Sequence, residues 1–260
     1  MAIFGVTGMV GQGVIHECLA DPRVESVLAV TRSPSSIRHP KLTQVKHHDF
    51  ADLTPLTHRF EDIDACFYCL GGSAVGMSEN EYRRITFDLT VAAARMFAGR
   101  NPSITFVYVS GQGADSSESG RSMWARVRGQ TENTVLAIPL QAFVLRPGYI
   151  QPRHGATSRT ATYKWIYRLT APLYPLLQRL LPTMVTNSEN VGKAMLALAA
   201  NGSSQRIIDC RGINELATAG HSSSGGKDGV AATRERMTAT SARSRLGGGA
   251  RQGRRRRGRS

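Results

Sequence analysis

The residues with the plainest chemistry stand at the start of the chain: Phe4-Gly5-Val6-Thr7-Gly8-Met9-Val10-Gly11. Three glycines at intervals of three, after a short apolar run and before an amphipathic one, suit a strand–turn–helix that receives a pyrophosphate. Gly5 would make the tight turn. Gly8 would let the backbone approach the phosphates, and Gly11 would let the helix pack closely on a sheet. Free N–H groups along Thr7, Gly8, Met9 and Val10, together with the helix dipole, favour negative charge there. A second signal ends the next apolar run, Val27-Leu28-Ala29-Val30-Thr31-Arg32-Ser33. An acid at this place would bind a ribose 2′-hydroxyl. Arg32, with Arg38 and Lys41 nearby, suits a 2′-phosphate instead. A hydrogen bond to a charged group contributes about 1.5–3 kcal/mol, about ten- to a hundredfold in affinity. The cofactor expected is therefore NADP, with NAD as the alternative.

Two other groupings carry less. Cys66 and Cys69 have CxxC spacing, but inside a strand positions i and i+3 face opposite sides. His47 and His48 are strand neighbours that point apart and have no partner cysteines. Neither pattern suits a metal, and none is expected.

A turn of this kind needs a sheet behind it. Strands are predicted at Ala2–Phe4, Val27–Val30, Thr43–Lys46, Ala65–Leu70, Ile104–Val109, Ala142–Leu145 and Arg206–Asp209. Between them, Val10, Val14, Ile15, Cys18 and Leu19 make one helical stripe, and Tyr82, Ile85, Leu89, Ala93 and Met96 another. Asn187-Ser188 reads as a helix start before Val191–Ala200. Strands alternating with helices imply an α/β fold, a doubly wound parallel sheet of the Rossmann kind. Residues 1–217 would form this domain. Within it, residues 151–204 would be a small C-terminal helical lobe on the substrate side. Its segment 161–182 is apolar and basic and interrupted by Pro172 and Pro175, so a weak peripheral membrane contact is the alternative to a packed lobe.

The chain has 260 residues, 33 Lys+Arg and 19 Asp+Glu, a formal charge of +14. Nine of those charges fall in residues 218–260, where Gly, Arg, Ser and Ala make up 31 of 43 positions. That stretch has too little apolar surface to offset chain entropy, so it is expected to be a disordered basic tail. Arg254–Arg257 could contact nucleic acid, but no aromatic residue interleaves the arginines, so nucleic-acid binding is not the favoured reading. The body is only mildly basic. No run of 18 apolar residues is long enough to span a bilayer. The N-terminus lacks a signal-peptide pattern and the four cysteines sit in apolar runs, which together point to the cytoplasm.

Taken together, Gly5–Gly11, the basic end of strand two, His48-Asp49-Phe50, Cys69-Leu70-Gly71-Gly72, Val109-Ser110-Gly111 and Leu145-Arg146-Pro147-Gly148-Tyr149 follow one another as in a known superfamily. The chain resembles the short-chain dehydrogenase/reductases over residues 1–217. Among them it is similar to the atypical, extended NAD(P)H-binding members: epimerase/dehydratase-like proteins and Tat-interacting-protein-like oxidoreductases. The glycine spacing differs from the Gly-x-Gly-x-x-Gly of the classical dehydrogenases.

The resemblance implies that Asp49 accepts from the adenine amino group, that Leu70 and Gly71 line the adenosine side, and that Pro147 runs past the nicotinamide. It implies that Ser110 polarises a substrate carbonyl. The superfamily's Tyr and Lys, four residues apart, are here Trp124 and Arg128. Indole has no usable acid pKa, and a guanidinium can hold a ribose hydroxyl but cannot shuttle a proton. Tyr149 is the first candidate substitute donor, ahead of Tyr108 and His154. The expected function is an NADP-dependent oxidoreductase or epimerase-like enzyme for a small carbonyl or hydroxyl substrate. The alternative is a dinucleotide-binding sensor or interaction protein with weak or no turnover. A homodimer paired through helices would also follow the superfamily.

Overall fold

The structure, a computed structural model, describes residues 1–153, 181 and 183–222. In chain order its strands are β1 (Ala2–Phe4), β2 (Val27–Thr31), β3 (Leu42–Lys46), β4 (Ala65–Tyr68), β5 (Thr105–Val109), β6 (Gln141–Arg146), β7 (Tyr149–Gln151), β8 (Val185–Asn187) and β9 (Ile207–Asp209). The helices are α1 (Met9–Ala20), α2 (Glu79–Arg83), α3 (Leu89–Arg100), α4 (Met123–Ala137), α5 (Ser188–Asn201) and α6 (Cys210–Ser222). A π-helical turn, Arg84–Asp88, joins α2 to α3.

Seven strands form one parallel sheet in the order β3-β2-β1-β4-β5-β6-β9. This is the α/β Rossmann architecture expected, and each predicted strand lies in it. The chain winds outward from β1 in one direction through β2 and β3, then returns to β4 on the other side. The crevice for a ligand in such a sheet lies where that order reverses, at the carboxyl ends of β1 and β4.

Alternate residues of each strand feed two cores. On one face Phe4, Phe60, Tyr68, Phe97 and Phe106 cluster, with ring centroids 5.4 Å apart for Phe4–Tyr68 and 5.0 Å for Phe60–Phe97. Such aromatic pairs add about 0.5–1.5 kcal/mol each beyond area burial. On the other face Ile3, Phe67, Val107 and Leu145 pack under α1 and α5. Those two helices sit close because Gly13 and Gly192 lack side chains. A Cβ at Gly13 would lie 2.5 Å from the Ser188 Cβ, and one at Gly192 would lie 2.8 Å from the Glu17 side chain. The predicted start of α5 is confirmed, with Asn187 Oδ1 accepting from the Asn190 N–H at 2.7 Å.

Three features differ from expectation or were not read. The apolar stripe Tyr82, Ile85, Leu89, Ala93, Met96 does not stay in register. After Tyr82 the buried positions are Thr86, Thr90, Val91, Ala93, Ala94 and Phe97, because the π turn rotates the helix partway along. A second sheet pairs β7 with β8 in parallel. α6 continues to Ser222, five residues past the boundary placed at 217, with Cys210, Ile213 and Ala217 buried. Most of the expected lobe segment 161–182 and the Arg254–Arg257 run lie outside the described residues.

Candidate active site

The glycine turn is dictated by its own backbone. Gly5 has φ +83°, a conformation that disfavours any other residue, and a Cβ there would lie 2.6 Å from the Cys69 carbonyl oxygen. A Cβ at Gly11 would lie 2.1 Å from the Gly5 carbonyl oxygen. The Gly8 N–H donates to Gly5 O at 2.9 Å, closing the turn. Gly8 then caps α1 with extended backbone and no side-chain hydrogen bond, so the first turn, opening with Met9 and Val10, presents its N–H groups uncapped. α2 and α5, by contrast, carry side-chain caps.

Two cavities open along the sheet edge, one of them at this turn. One, of about 320 Å³, is lined by Gly5, Thr7, Thr31, Arg32, Ser33, His48, Phe50 and Leu70, among others. Arg32 is exposed on its wall, and no hydrogen bond or ion pair holds its guanidinium among the described residues. Its two basic neighbours are already engaged. Arg38 Nη1 donates to the Ser35 and Ile37 carbonyls, and Lys41 Nζ donates to the Asp21 carbonyl at 2.8 Å. Thr31 Oγ1 donates to Ser33 O at 2.7 Å and shapes the loop that carries Arg32. Asp49 sits between two lining residues, but its carboxylate accepts from the Ala51 N–H at 3.0 Å and is not on the wall. Leu70 lines the cavity, and Gly71 lies exposed beyond it. His48 and Phe50 are not among the expected site residues; the resemblance implies a role for their neighbour Asp49 instead.

The other cavity, of about 790 Å³, brings together Ser110, Trp124, Arg128, Pro147, Tyr149 and Tyr82. Ser110 follows β5 and is buried. Its Oγ has no hydrogen bond of ordinary geometry among the described residues, although the Tyr108 phenol lies beside it. Trp124 is 38% exposed and its ring covers Gly113, whose φ is +89°. Gly148 allows β7 to pass, since a Cβ there would lie 2.3 Å from Met184 O. The Tyr149 hydroxyl donates to Gln151 Oε1 at 2.7 Å, which engages the donor expected there.

Arg128 lies largely buried on α4 and borders Gly111. Its Nε donates to the Tyr82 hydroxyl at 2.8 Å, and no carboxylate pairs with it among the described residues. Burial works against its charge, but the Tyr108 and Tyr82 phenols and Glu132 more than offset this and leave its pKa above the ordinary value. Glu132, one turn along α4, is fully buried and is taken by Arg146. Arg146 Nε donates at 2.9 and 3.2 Å, and its Nη2 adds a shorter contact. Tyr82 was read as one member of an apolar stripe; nothing in the spacing shows that its hydroxyl reaches α4.

Cys66 and Cys69 do face opposite sides of the sheet. Burial pushes the Cys69 thiol up to about 12 and the Cys66 thiol well above its ordinary value. Among the described residues no group of three His, Cys, Asp or Glu side chains could hold a metal, and no helix is long and apolar enough to cross a membrane.

The fold and its edge cavities define a doubly wound parallel α/β protein. Residues 1–119 match the model of the NAD dependent epimerase/dehydratase family. The mitochondrial protein fmp52-1 of Aspergillus terreus is 30% identical over 157 residues, a match covering 58% of this chain and 66% of that protein. Leucinostatins biosynthesis cluster protein T of Purpureocillium lilacinum is 22% identical over 236 residues, covering 79% and 86%. The chain thus spans about two thirds of the length of the fmp52 relatives it matches. WbmF of Bordetella bronchiseptica, solved with NAD+, superimposes with a TM-score of 0.59 at 15% identity, covering 88% of this chain and 79% of that one. The UDP-N-acetylglucosamine 4-epimerase of Methanobrevibacter ruminantium M1 gives 0.57 at 16%, covering 80% and 74%. These two likenesses show the fold alone. The sequence match to the epimerase/dehydratase family model thus covers residues 1–119, and beyond it the likeness is one of fold.

Proposed function

We propose that the protein binds a nicotinamide dinucleotide along the carboxyl edge of the sheet and acts as an oxidoreductase or epimerase-like enzyme on a small carbonyl or hydroxyl substrate. The observation that carries this reading is the glycine cradle. Any side chain at Gly5 or Gly11 would collide with backbone at the place where a pyrophosphate must approach a helix start. The residues present fit such a group. Thr7, Met9 and Val10 would hold the pyrophosphate, with Gly8, whose own N–H is taken by Gly5 O rather than free as expected, giving it room; Leu70 would line the adenosine side and Arg32 would hold a 2′-phosphate, so the preferred cofactor is NADP. Arg128 would hold the nicotinamide ribose, with Pro147 beside the ring. When bound, the nicotinamide supplies or accepts a hydride. The buried Ser110 hydroxyl, which has only the Tyr108 phenol beside it among the described residues, would then donate to a substrate oxygen.

A second reading, a dinucleotide-binding protein without turnover, is favoured by Trp124 standing where a phenol would be. NADPH and NADH titrations followed by protein fluorescence, with a screen of carbonyl substrates, separate the two. Binding with turnover supports the enzyme, binding alone the sensor, and no binding removes both. The four free thiols suit a reducing compartment such as the cytoplasm. Cell fractionation decides that point, since the fmp52 relatives carry mitochondrial names.

A further inference from the structure

The larger cavity lacks a phenol at position 124, yet it does not lack a phenol. Tyr82, from α2, lines it with a side chain only 1% exposed. Its oxygen accepts from Arg128 Nε at 2.8 Å. That bond uses a lone pair and leaves the phenolic O–H free to donate, and no acceptor takes that proton among the described residues. Other candidates are poorer. Indole N–H at Trp124 cannot release a proton to a substrate. The Tyr149 O–H is already given to Gln151. Tyr108 lies behind the wall, and burial raises its pKa far above the ordinary tyrosine value.

We propose that Tyr82 is the proton donor of this site and that Arg128 is its cation. A phenol from α2 and a guanidinium from α4 reproduce, across two helices, the pairing expected of one helix in related enzymes. This rests on the reading of the site as one for nicotinamide-dependent carbonyl reduction. When bound, a reduced nicotinamide would supply the hydride and itself become oxidised. As the carbonyl carbon gains that hydride, the π electron pair moves to oxygen, and the oxygen takes the Tyr82 proton. The phenolic O–H bond breaks, leaving a phenolate beside the Arg128 charge, and the Ser110 hydroxyl donates to the same oxygen. Water then returns a proton to Tyr82. Trp124 and Ile150 give the cavity an apolar wall suited to a flat, aromatic carbonyl compound.

The test uses the full chain, NADPH, and phenanthrenequinone and benzaldehyde as substrates. Tyr82→Phe should lower kcat by about 10²–10⁴-fold, the usual loss of a general acid, with NADPH affinity and melting temperature retained. In the cofactor-free chain labelled with carbon-13 at tyrosine Cζ, the resonance missing from Tyr82→Phe should move in Arg128→Met. Parental turnover in Tyr82→Phe, or a Cζ resonance unmoved by Arg128→Met, would overturn the proposal. A parent that binds NADPH but reduces neither substrate also overturns it and leaves the cofactor reading standing. Failure to bind NADPH would instead remove that reading. Should Tyr82→Phe not fold, fluorotyrosine at position 82 keeps the shape with a more acidic phenol and should move the alkaline limb of the pH–rate profile downward; an unmoved limb is contrary. Arg128 and Tyr108 face Tyr82, and Glu132, which is paired with Arg146, acts on Arg128.

Discussion

At the β1–β2 end of the sheet edge, ligand space is carved by backbone. Gly5 and Gly11 are fixed by carbonyl oxygens 2.6 and 2.1 Å from where a Cβ would be. At the β5–β6 end the space is walled by side chains: Ser110, Trp124, Arg128, Tyr82 and Tyr149. A backbone site admits one residue type and so cannot drift without losing its ligand. A side-chain site can exchange its donors as long as the cavity survives. On the proposed function, the contrast accounts for a glycine turn that suits a dinucleotide beside a cavity whose expected Tyr and Lys are Trp124 and Arg128.

The contrast breaks first at the turn. Gly11→Val should reduce NADPH affinity by more than about a hundredfold and destabilise the domain by about 1–3 kcal/mol or more, since rigid backbone must move. Calorimetry and thermal melting check both. On the other side, Arg146→Met leaves Glu132 buried without its partner and should cost about 3–5 kcal/mol in urea denaturation. Arg32→Asp should weaken NADPH about ten- to a hundredfold more than NADH; equal losses would remove the 2′-phosphate role. The smallest effect sharpens the steric point. A Cβ at Gly99, near the end of α3, meets nothing within 4 Å, so Gly99→Ala should stabilise by at most about 0.5–1 kcal/mol.

The same contrast explains what was legible in the sequence. Central strands such as Phe106–Val109 are buried on both faces and read as continuous apolar runs, and the glycine turn is legible because sterics permit no substitute. The π turn after Tyr82 was not legible. It places Thr86 and Thr90 in the core where hydropathy favours Ile85 and Leu89, and it depends on one altered hydrogen-bond ladder rather than on residue type. β7 and β8, three residues each, are too short to show alternation. The resemblance points to Asp49, but local turn geometry takes its carboxylate and leaves His48 and Phe50 on the wall. Tyr82 could be found only by bringing α2 against α4, a contact 46 residues apart in the chain.

The most direct test of the central claim is calorimetric titration of the full chain with NADPH, run beside Gly11→Val. Saturable one-to-one binding at sub-millimolar concentration, lost in the variant, is the predicted result. Absence of binding by the folded parent, or equal binding by Gly11→Val, would contradict a dinucleotide site at the glycine turn.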